Sequence, residues 1–268
     1  MDFSKVIFMT DLDGTLLTDD KRILDKDMAA IERFRAGGGI FTIATGRGYS
    51  MAKPVAEKLG LDVPAVVFNG AAVFDFAQDR FLWQCEMGAQ ARRYIERLTE
   101  RFPEQLGVEV LHEQNIYVPF LNRTEIDHLA LEKLTPNEKK LEEIPDGGWL
   151  KVLFAAEPSV IDEVAQYVSE SGFDDVQWVR SAPVYFECLP KGVDKSTGFR
   201  ELIRLLGAED RFTVASGDFM NDTHMIQQAD LGAAVASAQE SVKQAADIIV
   251  CDNNSGAIAE IIEYIERR

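Results

Sequence analysis

Two carboxylates one residue apart, Asp11 and Asp13, close an apolar run, Val6-Ile7-Phe8-Met9, and lead into Gly14-Thr15. In an extended segment alternate side chains share a face, so both acids point to one spot at the end of a strand. Two such charges repel each other unless a cation sits between them or one keeps its proton, and either arrangement suits chemistry. Gly14 permits a sharp turn straight afterwards. Because Asp-Gly is also a common hairpin turn, the pair takes its meaning from three further clusters. Thr45-Gly46-Arg47 ends a second apolar run, Lys195 opens an amphipathic segment, and Asp218 stands with Asn221 and Asp222 just past another run. Asp11, Asp13 and Asp218 offer hard oxygen ligands of the kind Mg²⁺ takes. Thr45 and the backbone N–H groups near Gly46 suit phosphate oxygens, and Lys195 would neutralise a transferring group. The set describes phosphoryl transfer.

The elements that must position these residues read as follows. Strands are predicted at the opening apolar run, at Ile40–Ala44 and at Ala65–Phe68, alternating with helices over Asp25–Ala36 and Tyr49–Leu59. Residues 16–23 read as a small hairpin over the two aspartates, with its turn near Asp19-Asp20. Strand, helix, strand order implies a parallel sheet with right-handed crossovers. The pattern then changes: a hairpin over residues 71–83, helices over 88–102, 123–134 and 159–171, and short strands near 108–111, 116–120, 150–155, 176–179 and 184–188. That grouping implies an antiparallel sheet with helices on one face, and the polar stretch 135–143 reads as a solvated connection. The α/β rhythm resumes with a helix over Lys195–Leu206, strands at Phe212–Ala215, Leu231–Val235 and Ile248–Val250, and helices through Met225-Ile226, at Glu240–Ala245 and over Gly256–Arg268. The expected fold is α/β: a Rossmann-like core, residues 1–81 and 190–268, with an α+β domain inserted at 82–189. Ligands of such sheets bind beyond the C-terminal strand ends, where the polar clusters stand.

The chain of 268 residues is long enough to bury a substantial core. Its formal net charge of −17, with 45 acidic against 28 basic side chains, repels nucleic acid and anionic membranes. A phosphorylated substrate therefore needs local positive charge, from a metal ion, a lysine or helix N-termini. Cys85, Cys188 and Cys251 are odd in number and widely spaced, which points to a reducing cytoplasm and away from a zinc site. No signal peptide and no membrane span are expected, because the opening apolar run is only four residues long. His112, His128 and His224 lack ligand spacing, and Trp83, Trp149 and Trp178 read as packing residues.

The order Asp11-x-Asp13-Gly14-Thr15, Thr45-Gly46-Arg47, Gly192-Val193-Asp194-Lys195 and Gly217-Asp218-x-x-Asn221-Asp222 resembles the haloacid dehalogenase superfamily. It is most similar to the Cof-type sugar-phosphatase branch, whose C2B-type α+β cap is inserted between the second and third motifs. The resemblance covers nearly the whole chain. It implies that Asp11 is the nucleophile that forms an aspartyl-phosphate, and that Asp13 is the general acid and base. It further implies Mg²⁺ held by Asp11, the backbone carbonyl of Asp13 and Asp218, with Asp222 acting through a metal-bound water or by orienting Lys195. Leu12, Thr45, Gly46, Lys195 and Asn221 match phosphate-binding positions, while Arg47 and Asn69 are candidates for contact with the leaving group. Ser196 stands where the branch commonly has glycine, and Lys191 is a rival of Lys195. The implied substrate is a small phosphorylated metabolite, a sugar phosphate or phosphorylated cofactor, over which the cap would close. No nucleic-acid, membrane or obligate protein partner is implied. A phosphomutase, or a phosphoacceptor module that binds Mg²⁺ for signalling, are the alternatives.

Overall fold

The computed structural model describes residues 1–88, 90–113, 115–131 and 134–268. The chain forms two compact units, Met1–Trp83 with Asp194–Arg268, and Gln84–Val193. The first unit contains β1 (Val6–Thr10), α1 (Asp25–Ala36), β2 (Ile40–Ile43), α2 (Tyr49–Leu59), β3 (Ala65–Val67) and β4 (Ala72–Asp75). β5 (Arg80–Gln84) runs out of it. The second unit holds α3 (Gln90–Arg101), β6 (Gly107–His112), β7 (Ile116–Phe120), α4 (Arg123–Leu131), β8 (Trp149–Ala155), α5 (Pro158–Glu170), β9 (Val176–Ala182) and β10 (Tyr185–Pro190). The first unit then resumes with α6 (Lys195–Leu206), β11 (Phe212–Gly217), α7 (Thr223–Gln228), β12 (Leu231–Val235), α8 (Glu240–Ala245), β13 (Ile248–Val250) and α9 (Ala257–Arg267).

Five parallel strands order as β13-β12-β11-β1-β2, with β1 between β11 and β2. Every residue of β1 is buried, as expected for a strand covered on both faces, where an apolar run need not alternate with polar residues. Its period of two still sorts the side chains. Val6 and Phe8 join a cluster with Ile31 and Phe34 of α1 and Ile258, Ile261 and Ile262 of α9. Ile7 and Met9 pack on the other side with Phe199 and Leu202 of α6 and Met225 of α7. The result is a helix–sheet–helix sandwich. Residues Ala44 and Val66 form a further parallel bridge, which brings β3 alongside β2. β3 then turns through residues 68–70 into antiparallel pairing with β4, and β5 completes this three-stranded sheet.

The second unit is an antiparallel sheet ordered β7-β6-β8-β10-β9. Val108, Val110, Val152, Phe154 and Phe186 on one face pack against Ile95 and Leu98 of α3 and Ile161 and Val164 of α5. Alternation puts Glu109, Lys151 and Glu187 on the other face, where Lys151 Nζ donates to Glu187 Oε1 at 3.0 Å. His112 is buried, with its ring edge-on to Tyr117. Trp178 stacks on Phe186 and Trp149 is buried in the same unit's core.

Several sequence expectations need correction. Residues 16–23 form a turn and no paired strands: Thr18 N–H donates to Arg22 O and Lys21 N–H to Thr18 O, and Thr18 Oγ1 completes the closure. Side chains thus satisfy backbone groups that a hairpin would have paired. The stretch 135–143 is not simply solvated. Val118 N–H donates to Asn137 O, and Leu141 is buried within a single 3₁₀ turn. Not all helices of the second unit share one face either, because α4 meets β6 from the Glu109 side, with His128 at 3.6 Å from Glu109. The predicted helices over 88–102 and 123–134 include residues 89, 132 and 133, which lie outside the described residues. The chain passes from the first unit to the second after Trp83 and back after Val193; β5 belongs to the sheet of β3 and β4, and Val193 N–H bonds back to Pro190 O. Among the described residues no helix is long and apolar enough to cross a membrane.

Candidate active site

Register carries the polar clusters to one edge of the first unit. Thr10 is level with Ser216 and with Ile43. One step further, Asp11 N–H donates to Ser216 O at 2.9 Å, Ala44 N–H to Thr10 O at 2.9 Å and Thr45 N–H to Val66 O at 3.0 Å. Asp218, Asp11, Thr45 and Asn69 therefore follow four neighbouring parallel strands at their C-terminal ends, where such sheets bind ligands.

Lys195 links the acids. It is the first residue of α6, and its N-cap Asp194 accepts the Thr197 N–H. Ser196 fits this start well, because its hydroxyl donates to Asp194 Oδ1 at 2.5 Å; His224 Nδ1 lies 2.7 Å from the other Asp194 oxygen. The Lys195 side chain is 1% exposed, and its Nζ donates to Asp11 Oδ1 at 2.5 Å and to Asp222 Oδ1 at 2.6 Å. Lys191 is exposed. Asp222 Oδ2 accepts the N–H groups of Asp218 and Phe219, so both of its oxygens are engaged. Asp218 Oδ1 accepts from Thr15 Oγ1 at 3.1 Å. The loop passes this close only because residue 14 is glycine, at φ +80° and with any Cβ 2.5 Å from Asp218 Oδ2.

One oxygen from each of Asp11, Asp218 and Asp222 falls within 4.8 Å of the others. Three carboxylates against one ammonium leave a charge of −2 that the protein itself does not neutralise. Two of the acids, Asp11 and Asp218, are biased toward their protonated forms. Burial raises Asp11 well above the usual carboxylate range, against the pull of Lys195. Burial and the Asp222 charge push Asp218 up to about 7. Burial disfavours the Lys195 charge, but the two carboxylates outweigh it and raise its pKa. A divalent cation at these oxygens would supply the missing charge.

Asp13 stands apart from that cluster. Arg47 grips it with two bonds, Nε to Oδ2 at 2.7 Å and Nη2 to Oδ1 at 2.8 Å, and Lys21 Nζ adds a third at 2.6 Å. Burial opposes its charge, yet the Arg47 hydrogen bonds and the two cations hold it down to about 2. The sequence reading has Asp13 keeping a proton to act as an acid; in this geometry it is a carboxylate.

The remaining predicted residues form the floor. Arg47 N–H donates to the Thr45 hydroxyl at 3.1 Å, and Asn69 N–H to Thr45 O at 3.0 Å. A Cβ on Gly46 would come within 3.1 Å of the Asn69 amide. Asn221 Nδ2 donates to Asn69 Oδ1 at 2.9 Å, tying the two loops, and its own Oδ1 is buried without a partner. The Leu12 side chain is buried in the core, while its carbonyl accepts from Leu17 N–H. Sequence reasoning did not single out Thr15 or Lys21. Thr15 stood inside the first motif, whereas Lys21 lies in a mixed-charge turn that no spacing marks.

The family of haloacid dehalogenase-like hydrolases matches residues 8–262. Among curated proteins, the 5-amino-6-(5-phospho-D-ribitylamino)uracil phosphatase YcsE of Bacillus subtilis is 26% identical, over 95% of this chain and 93% of its own. The pyridoxal phosphate phosphatase YbhA of Escherichia coli is 25% identical, over 96% and 97%. A haloacid dehalogenase-like hydrolase from Bacteroides thetaiotaomicron superposes with a TM-score of 0.83 over 97% of this chain and 98% of its own, at 24% identity.

Proposed function

The chain belongs to the haloacid dehalogenase-like hydrolase family, and from that premise we propose that it is a Mg²⁺-dependent phosphomonoesterase of small phosphorylated metabolites. The observation that carries this reading is the Lys195 ammonium bridging Asp11 and Asp222 beside Asp218. The curated relatives named above are phosphatases of 5-amino-6-(5-phospho-D-ribitylamino)uracil and of pyridoxal phosphate, which supports a small phosphorylated substrate.

The steps belong to the side chains. A free oxygen of ionised Asp11 attacks phosphorus, the bond to the leaving oxygen breaks, and an aspartyl-phosphate forms. Asp13 passes a proton to the departing alkoxide, then accepts one from the water that cleaves the acyl phosphate and restores Asp11. As a carboxylate in the free protein, Asp13 is prepared for the second of these transfers; the first requires a proton taken up as substrate binds. Lys195 fixes one Asp11 oxygen, and Asp222 positions Lys195. Thr45, the backbone at Leu12 and Gly46, and Asn221 with Asn69 would receive the phosphate oxygens. Mg²⁺ held by Asp11, Asp218 and the Asp13 carbonyl would neutralise charge between nucleophile and phosphate. To test the nucleophile, p-nitrophenyl phosphate turnover with Mg²⁺ is compared for wild type and Asp11→Asn. A loss of about a thousandfold or more is expected, whereas a folded variant with near-wild-type turnover would remove Asp11 from the mechanism.

A further inference from the structure

We propose that Asn69 is a positioning residue: it acts on the phosphate through Asn221, by setting the direction in which that side chain offers its amide. This deepens the phosphatase reading and rests on it, since that reading makes Asn221 a phosphate ligand.

The first observation is that Asn221 depends on Asn69. Among the described residues the Asn221 amide has one tether, the 2.9 Å bond from its Nδ2 to Asn69 Oδ1, and its own Oδ1 is buried with no partner. An amide nitrogen has two hydrogens. One is spent on Asn69, and that bond fixes the amide plane and with it the direction of the other. Take the Asn69 oxygen away, and no hydrogen bond is left to hold the Asn221 side chain.

The second observation is that Asn69 is carried by the phosphate loop itself. Two backbone bonds zip residues 68–70 to residues 45–47, Asn69 N–H to Thr45 O at 3.0 Å and Phe68 N–H to Arg47 O at 2.9 Å. The Asn69 amide lies against the same loop, where a Cβ on Gly46 would stand 3.1 Å from both its oxygen and its nitrogen. One side chain therefore keeps Thr45 and Gly46 in register with Asn221, although 152 residues separate Asn69 from Asn221.

The third observation is conformation. Phe68 and Asn69 have φ of +53° and +52°, two successive left-handed residues that are not glycine. Asparagine accepts that region more readily than most side chains, and such backbone persists where its surroundings enforce it, here through the bonds to Thr45 and Arg47. Asn69 is 1% exposed, so its amide is turned to the protein.

The test measures kcat/KM for p-nitrophenyl phosphate and the Ki of inorganic phosphate, both with Mg²⁺, in wild type, Asn69→Gly, Asn221→Ala and the double variant. Glycine keeps the left-handed backbone without strain and deletes the amide. Inorganic phosphate has no leaving group, so its Ki reports the phosphate site alone. Each single substitution should raise that Ki about tenfold, the size of one hydrogen bond to a charged group. The double variant should be no worse than Asn221→Ala, because the two side chains act as one. Should Asn69→Gly fail to fold, Asn69→Ser, whose oxygen reaches one atom less far, is read in the same way. An unchanged Ki in either single variant, or losses that multiply in the double one, overturns the proposal and leaves the phosphatase intact. A loss in Asn69→Gly confined to ester turnover overturns it too, and makes Asn69 a contact of the leaving group. A folded wild type that does not cleave the ester would overturn the phosphatase reading itself, and this inference with it.

Discussion

Asp218 and Asp13 respond to their surroundings in opposite senses, and the cause is which charges each one faces. Asp218 is raised to about 7 by burial and by Asp222, so its proton competes with a cation for the same oxygens. Metal affinity at such a site falls as the ligands protonate. Mg²⁺ binding should therefore weaken progressively below about pH 7, by up to about tenfold per pH unit for each competing proton. Titration calorimetry at pH 6 and pH 8.5 reads this directly. An affinity independent of pH across that span would mean that Asp218 is already ionised without the metal. Asp13 gives no such competition, because Arg47 and Lys21 keep it charged over the whole range.

At the scale of elements, α6 is delivered to the site by its packing. Its Gly198 lies against Val66 and Gly70, and Gly70 closes on the very carbonyl that precedes Lys195: a Cβ there would stand 1.8 Å from Asp194 O. Gly70 also has φ +99°. Gly70→Ala should then cost about 2–4 kcal/mol, since backbone strain and a backbone collision act together. It should also lower p-nitrophenyl phosphate turnover by displacing Lys195. Urea unfolding checks the first and steady-state kinetics the second; a stable and fully active variant would show that α6 can shift without moving Lys195 off Asp11. The limits of α6 were legible because both ends carry local signals, Asp194 at the N-cap and Gly207 in the left-handed region at the C-cap. The turn over residues 18–22 was not. Its closure depends on Thr18 hydroxyl bonds and on Asn253 and Asn254, and no local pattern reports partners so remote in sequence.

Across the whole molecule, acidic side chains are carried into the interior as well as the surface. In the second unit, Glu125 is fully buried against Glu109, two acceptors that can bond to each other only if one carries a proton. Burial, then the Glu109 charge, pushes Glu125 up to about 10. Between its ordinary 4.5 and that value the folded chain binds a proton that the unfolded chain releases, so this group's contribution to stability is complete in acid and declines as pH rises. Glu125→Gln, a neutral isostere, should remove the decline: its Tm should exceed that of wild type by a margin that widens from pH 6 to pH 9. A margin constant with pH would place the proton elsewhere. The −17 charge, the α/β rhythm, the order of the four motifs and the elements that carry them were all determined by the sequence alone. Periodicity, caps and turn residues act over a few neighbours, and motif order needs no coordinates. Only the tertiary structure decided which charges meet. It put Lys195 between Asp11 and Asp222, clamped Asp13 with Arg47 and Lys21, and buried Glu125 on Glu109. Each of those pairings joins residues from different elements at a few ångströms, and the energy of a charge is set by such neighbours rather than by its place in the chain.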